Sequence, residues 1–307
     1  MENSQMENSL EKKTEKVAET SSAKSESKAK TFETKEHIVE EGVFIPQMGI
    51  NYTDKPDEPL LFPPKIRSID FENGYNFLDR SFKGRMQNFL IYAGIYALVY
   101  PLNRIRYGLK IEGKENIKKN KALLKNGAMT IANHVLRWDF PTVLQALGHR
   151  RSWFPARTSN FESGDAFLIK GAGGIPIPRT LSATRHFNEA FDTLAKEKRW
   201  LHVFPESCRW DWYEPIRPFK IGAFKMAYRY KYPIVPMAFT YRKPTGIWKL
   251  FGTKHPLVTL KIGEPIEINK PENMSRNDYC AELRRKTHEA VCRLAGIKQN
   301  KWPAEAD

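Results

Sequence analysis

From residue 111 to residue 296 the sequence alternates short apolar runs with segments of helical periodicity, and few architectures accommodate that alternation. "AMTIANH", "RWLHVFPES" and "YPIVPMAF" read as strands, and "LVTLKIGEPIEI" as one or two more. Between them, "DFPTVLQALG" reads as a helix with Pro141 near its first turn, and "KIGAFKMAYRY" as another. "SATRHFNEAFDTLAKEK" is a clear helix with Phe187, Ala190, Phe191 and Leu194 on one face, and "SRNDYCAELRRKTHEAVCRLAG" closes with a helix ending at Gly296. The expected fold class is therefore α/β, with a mostly parallel central sheet flanked by helices. In such folds ligands sit beyond the carboxyl ends of the strands, so the polar groups of interest are expected there.

The segments before residue 111 follow other rules. Residues 1 to 38 hold seven Lys and eight Glu with few apolar side chains, and they read as a disordered charged tail without a secretory signal. Residues 39 to 82, with "DKPDEPLLFPPK", are rich in proline and lack periodicity, as expected of an extended arm. Residues 83 to 110 read as an apolar or interfacial helix. The strongly apolar part, Phe89 to Leu102, is only 14 residues long, shorter than the roughly 20 needed to span a bilayer. Lys83 and Arg85 flank it on one side and Arg104, Arg106 and Lys110 on the other, while Tyr92, Tyr96 and Tyr100 recur every four residues. A buried core helix and a helix lying at a membrane surface both fit that pattern. Residues 111 to 298 form the expected α/β domain, and 299 to 307 a short tail.

Charge narrows the partners. Of the 307 residues 50 are basic and 35 acidic, a formal charge of +15, and the balanced N-terminal tail contributes none of the excess. A basic folded body calls for an anionic partner: nucleic acid, an anionic membrane surface or a phosphorylated substrate. The three cysteines lack metal-ligand spacing, so no metal site is expected.

The stretch "NHVLRWD" carries the candidate chemistry, His134 and Asp139. Within one helix five residues turn through about 500 degrees, which would leave the two side chains roughly 140 degrees apart. A strand ending near His134, a turn through "VLRW" and a helix starting near Asp139 would bring them together instead. Asp139 would then accept a bond from one ring nitrogen and leave the other free as a base. The plainer alternative is that Asp139 caps the helix and His134 merely ends a strand.

Four ordered segments give the chain a family resemblance. "NHVLRWD" resembles the His-x4-Asp block of the glycerolipid acyltransferases, which transfer fatty acyl groups onto glycerol-3-phosphate or 1-acylglycerol-3-phosphate. "GGIPIPR" resembles the second block and places its arginine at Arg179. "VFPESCR" resembles the third, matching Phe204, Pro205, Glu206 and Arg209, and "PIVPMAF" the fourth. "PFKIGAFKMA" resembles a Phe-Lys-x-Gly helix that members often carry. The resemblance covers about residues 105 to 270. Ser207 and Cys208 stand where the third block usually has glycine and threonine, a departure that bears on the shape of the acceptor pocket.

The resemblance implies that His134 removes a proton from an acceptor hydroxyl and that Asp139 orients its ring. Arg179 and Arg209 would hold the acceptor phosphate, with Glu206, Asn133, Gly174 and Lys220 in support. No bound cofactor or metal is implied; acyl-CoA or acyl carrier protein enters as co-substrate. The expected partners are an anionic membrane surface, a lysophospholipid acceptor and acyl carrier protein, at the cytoplasmic face of a membrane as a peripheral or monotopic protein, with a soluble cytoplasmic fraction as the alternative. The expected reaction acylates 1-acylglycerol-3-phosphate to phosphatidic acid, with glycerol-3-phosphate or another lysophospholipid as the alternative acceptor. Two other classes compete, a basic nucleic-acid-binding protein and a non-catalytic membrane-associated relative. The first has no recognisable module here, so nucleic acid is not an expected partner, and the intact His134 and Asp139 speak against the second. "GAGG" at 171 to 174 is no dinucleotide loop, because prolines follow where that fingerprint needs a helix.

Overall fold

The computed structural model describes residues 34 to 148 and 150 to 305. Most of the expected charged tail, residues 1 to 33, lies outside them. A short strand β1 (Ile38–Val39) leads into an arm without regular structure. Ser81 then caps helix α1 (Phe82–Gly94), its hydroxyl accepting from the Gly84 N–H. A π-helical turn (Ile95–Val99) joins it to α2 (Tyr100–Tyr107), which stops where Gly108 takes a left-handed conformation.

The α/β body begins at β2 (Lys110–Glu112) and the short helices α3 (Lys114–Lys119) and α4 (Lys121–Leu124). It continues through β3 (Met129–Ile131), α5 (Asp139–Leu147), β4 (Ser152–Arg157), α6 (Thr158–Phe161), α7 (Ala166–Gly171) and β5 (Gly174–Ile177). Helix α8 (Leu181–Lys196), β6 (Trp200–Val203), α9 (Gly222–Tyr230) and β7 (Ile234–Arg242) follow. A one-turn helix α10 (Ile247–Leu250), β8 (Leu257–Ile262), α11 (Arg276–Ala295) and β9 (Ile297–Gln299) complete it.

Seven strands form one sheet in the order β2-β8-β7-β3-β6-β4-β5. Every neighbouring pair is parallel except β7 with β8. The fold class is thus α/β with a mostly parallel sheet. Alternating strand residues serve opposite faces. Met129 and Ile131 of β3 and Leu201 and Val203 of β6 pack with Phe191 and Leu194 of α8, Phe224 of α9 and Leu283 of α11. Val235, Met237 and Phe239 of β7 pack on the other side with Val143 and Leu147 of α5.

Several segments differ from the sequence reading. Strands β2 and β4 of the large sheet were not anticipated, nor was the β1–β9 pair. Residues 299 to 307, expected as a tail, include Gln299 of the β1–β9 pair and Trp302, which is buried with its indole N–H donating 2.8 Å to the Tyr213 hydroxyl. The expected helix over residues 83 to 110 runs unbroken from Phe82 through the π turn to Tyr107 and stops at Gly108, and its surface is divided. Tyr92 and Ile95 are buried against α5 and β4, whereas Phe89, Leu98 and Ile105 are exposed. No helix among the described residues is long and apolar enough to cross a membrane.

Because β3, β4, β5, β6 and β7 run parallel, their carboxyl ends share one edge of the sheet. His134 follows β3, Arg157 ends β4, Arg179 follows β5 and Glu206 follows β6, so the topology alone delivers them to that edge.

Candidate active site

After β3 ends at Ile131 the ladder to β7 reaches Pro236, whose nitrogen carries no hydrogen. Asn133 takes over the tie with its side chain. Its Oδ1 accepts from Phe239 N at 2.7 Å and its Nδ2 donates to Phe239 O at 3.1 Å. The side chain is fully buried, so Asn133 fixes where the chain leaves the sheet one residue before His134.

The turn through "VLRW" then brings His134 and Asp139 into contact, with Nδ1 of the ring 2.9 Å from Oδ2 of the carboxylate. The same oxygen accepts from Val135 N at 2.6 Å and Leu136 N at 2.9 Å. Asp139 is the first residue of α5, yet its side chain turns back onto the preceding loop instead of capping the helix. Two backbone donors lock the carboxylate, and the carboxylate locks the ring. The imidazole also stacks on Phe204, with centroids 4.1 Å apart and planes within 12°. No described residue hydrogen-bonds Nε2, and 26% of the His134 side chain is exposed, room enough for an acceptor to approach.

Burial pushes the His134 pKa down from 6.5 to about 3, and Arg209 and Arg217 push the same way. Burial pushes the Asp139 pKa up, opposed by the N–H groups of Leu136 and Val135. The lowered His134 pKa keeps the ring neutral, and with its proton on Nδ1, directed at the Oδ2 that already accepts two backbone N–H groups, Nε2 offers its lone pair.

The loop after β6 closes over this turn. Trp210 N donates to His134 O at 3.1 Å, and Trp212 N donates to Val135 O at 3.0 Å. Glu206, 2% exposed, ties the two loops together: Oε2 accepts from His134 N at 2.9 Å and from Arg217 Nη2 at 2.8 Å, and Oε1 accepts from Arg217 N at 2.9 Å. Arg217, itself 1% exposed, lies over the Trp210 ring and also donates to Cys208 Sγ at 3.0 Å, to Cys208 O and to Pro56 O at 2.9 Å. Glu206 was expected in support of the site, organising Arg179 and Arg209 or hydrogen-bonding a glycerol hydroxyl. Its partner is Arg217, which sequence reasoning missed; a charge set between two prolines in "PIRPFK" is the one signal that marks it.

The two departures in the third block have structural consequences. Ser207 holds φ at 67°, the left-handed region where glycine is unstrained, so the serine carries a backbone penalty of about 1 kcal/mol. Cys208 is buried, and its sulfur, besides accepting from Arg217, donates to Glu58 O across 3.5 Å. The arm also lies on this loop. Tyr52 OH donates to Asp211 O at 2.8 Å, and Glu58 O accepts from Trp210 Nε1 at 2.8 Å.

Arg209 forms an ion pair through Nε with Asp211 at 2.7 Å, and its charge acts on His134 and Asp139. Lys220 is held to the same loop by its backbone N–H donating to Pro205 O at 2.8 Å, while Nζ lies 2.9 Å from Asp57. Arg179 is exposed beyond β5, three strands from β3 and thus roughly 14 Å along the sheet edge. Gly174 does not reach the cluster. A Cβ there would come within 2.8 Å of the Ile169 backbone oxygen, so the glycine serves the close packing of β5 on α7. The structure therefore gathers His134, Asp139, Asn133, Glu206 and Arg209, sets Lys220 at the border and leaves Arg179 and Gly174 apart. Arg157, at the end of β4, is a further cation on this edge that sequence reasoning did not name.

The acyltransferase family model matches residues 108–240, a span that begins just before β2 and contains every one of these side chains. Residues 108–240 are an acyltransferase domain. No curated protein sequence matches the chain. Among solved structures, the 1-acyl-sn-glycerophosphate (LPA) acyltransferase PlsC from Thermotoga maritima is similar, with 24% identity over 71% of this chain and 83% of that chain and a TM-score of 0.46.

Two outcomes follow for this acyltransferase domain. With its pKa depressed, His134 is neutral where an ordinary histidine is half protonated, so its imidazole resonances in NMR spectra should stay at the neutral position from pH 8 down to about 5. A titration centred near 6.5 would contradict that environment. Arg217→Met leaves a buried carboxylate without its cation and should lower stability in denaturant by about 3–5 kcal/mol, with Glu206→Gln restoring part of the loss in the double variant.

Proposed function

We propose that the protein transfers a fatty acyl group from a thioester donor, acyl-CoA or acyl carrier protein, to the free hydroxyl of 1-acylglycerol-3-phosphate, giving phosphatidic acid. The observation that carries this reading is the Nδ1–Asp139 contact with Nε2 left open, inside an acyltransferase domain. Nε2 takes the hydroxyl proton as the oxygen attacks the thioester carbonyl. The tetrahedral intermediate collapses with cleavage of the C–S bond, and the imidazolium returns its proton to the departing thiolate. A thioester is already activated, so no acyl-enzyme is needed. Asp139 keeps the ring in the tautomer that has its lone pair on Nε2 and supports the positive charge that develops there.

Arg209 supports a phosphorylated acceptor. Its ion pair with Asp211 engages Nε, and among the described residues nothing bonds its two terminal nitrogens, which form a fork suited to phosphate oxygens. Lys220, Arg157 and Arg179 supply further positive charge along the same edge. A lipid acceptor and the net charge of +15 together support work at an anionic membrane surface, as a peripheral or monotopic protein on the cytoplasmic face.

The test is release of free thiol from oleoyl-CoA with 1-acylglycerol-3-phosphate, glycerol-3-phosphate and lysophosphatidylcholine offered in turn. The phosphomonoester lysolipid should be fastest, and Arg209→Ala should raise its KM by about tenfold or more with a smaller effect on kcat. Preference for the choline lipid, or an unchanged KM, would overturn the acceptor assignment; preference for glycerol-3-phosphate would move the first acyl position, not the second, to this enzyme.

A further inference from the structure

The connection between β7 and β8 leaves the sheet at the edge that carries His134, and it is built unlike an ordinary loop. It holds the one-turn helix α10, with Gly246 and Gly252 in positive-φ conformations on either side. Leu250 is 81% exposed and Phe251 82%, with Ile247 beside them also exposed. Large apolar side chains so placed lose free energy in water, and three together at the tip of one turn form an apolar prong.

The prong has a fixed place. Trp248, on the same turn, donates its indole N–H to Ile105 O of α2 at 2.6 Å. Its ring also packs on Gly108, where a Cβ would lie 3.0 Å away. Ile105, 72% exposed, and the exposed Leu102 therefore belong to the same side of the molecule as the prong. Below it, His255 of the connection packs against Tyr107 with centroids 5.1 Å apart and stacks on Trp212 at 5.7 Å, and Trp212 N is bonded to Val135 O, next to His134.

Charge selects the occupant. Between Phe82 and Ile111, and again between Pro215 and Gly263, the sequence has no Asp or Glu, whereas Lys243, Lys249 and Lys254 flank the prong and Arg104 and Arg106 flank Ile105. A second copy of so basic a surface would be repelled, but an anionic lipid layer would be attracted, at about 1 kcal/mol per basic residue near the surface.

We propose that the β7–β8 connection is a membrane prong: Ile247, Leu250 and Phe251 enter the interfacial layer of an anionic bilayer beside Leu102 and Ile105, with the neighbouring lysines on the headgroups. This deepens the reading of the site as one that acts on a lipid acceptor, and it adds a second element to the anchoring surface, distant in sequence from residues 83 to 110. Docked this way, the membrane meets the protein where Tyr107, His255 and Trp212 lead to the His134 turn.

The test uses the full chain and sedimentation with vesicles of phosphatidylcholine, with and without phosphatidylglycerol. The triple variant Ile247→Ser, Leu250→Ser, Phe251→Ser should lose about tenfold or more in partitioning to the anionic vesicles. Lys249→Glu with Lys254→Glu should lose affinity for anionic vesicles alone. The thermal transition and thiol release with short-chain, water-soluble donor and acceptor should match the parent, which separates lost docking from lost folding. Parent-like vesicle partitioning of the triple variant would overturn the proposal, as would a parent dimer that the triple substitution dissociates without changing lipid binding. If vesicle binding falls as expected but the parent acylates no lipid acceptor, the prong stands and the acceptor reading fails.

Discussion

The carboxylate of Glu206 is the joint on which the site depends. It receives the backbone N–H of His134 from one loop and both the backbone and the guanidinium of Arg217 from another, in a place that water does not reach. A buried carboxylate is tolerated only where donors surround it, so the two loops are obliged to meet. Their meeting sets the two further backbone bonds from Trp210 and Trp212 to the His134 turn, and it leaves Arg217 to hold Cys208 and the arm at Pro56. The His134 turn, Trp210 and Trp212 and the N-terminal arm are all tied to this one ion pair. The strained Ser207 sits inside this arrangement, held by the bonds on either side of it.

The His134–Asp139 pair is defined by a second, more local constraint. Three donors converge on a single oxygen of Asp139, two of them from the backbone of the turn that separates it from His134. The short spacing that excludes a shared helix face is the spacing a turn needs to wrap its own amides around the carboxylate. Burial and two nearby arginines keep the ring neutral, which suits the proposed role of proton acceptor.

How much of this the sequence discloses depends on how local each interaction is. Helices α8, α9 and α11 are legible because their apolar residues recur with the helical period and face one core. Strand β4 is not, because Ser152, Pro155 and Arg157 interrupt the apolar run and only its place between β6 and β5 makes it a strand. His134 and Asp139 are legible as a pair because a turn is a local object. Arg217 is not, since its value comes from Glu206, eleven residues away, and from an arm more than 150 residues away. Gly174 and Arg179 show the converse. Both are legible as part of a block, yet one serves strand packing and the other stands well along the sheet edge. The apolar segment 83 to 110, which sequence left between core and membrane, divides its residues: Tyr92 and Ile95 face the core while Leu98 and Ile105 are exposed.

The central claim is that His134 is the base of an acyl transfer, and the rate of thiol release from an acyl-CoA in the presence of 1-acylglycerol-3-phosphate measures it most directly. His134→Ala, with an unchanged thermal transition, should reduce that rate by about 10²–10⁴-fold. A variant that retained activity within a few-fold of the parent would contradict the account.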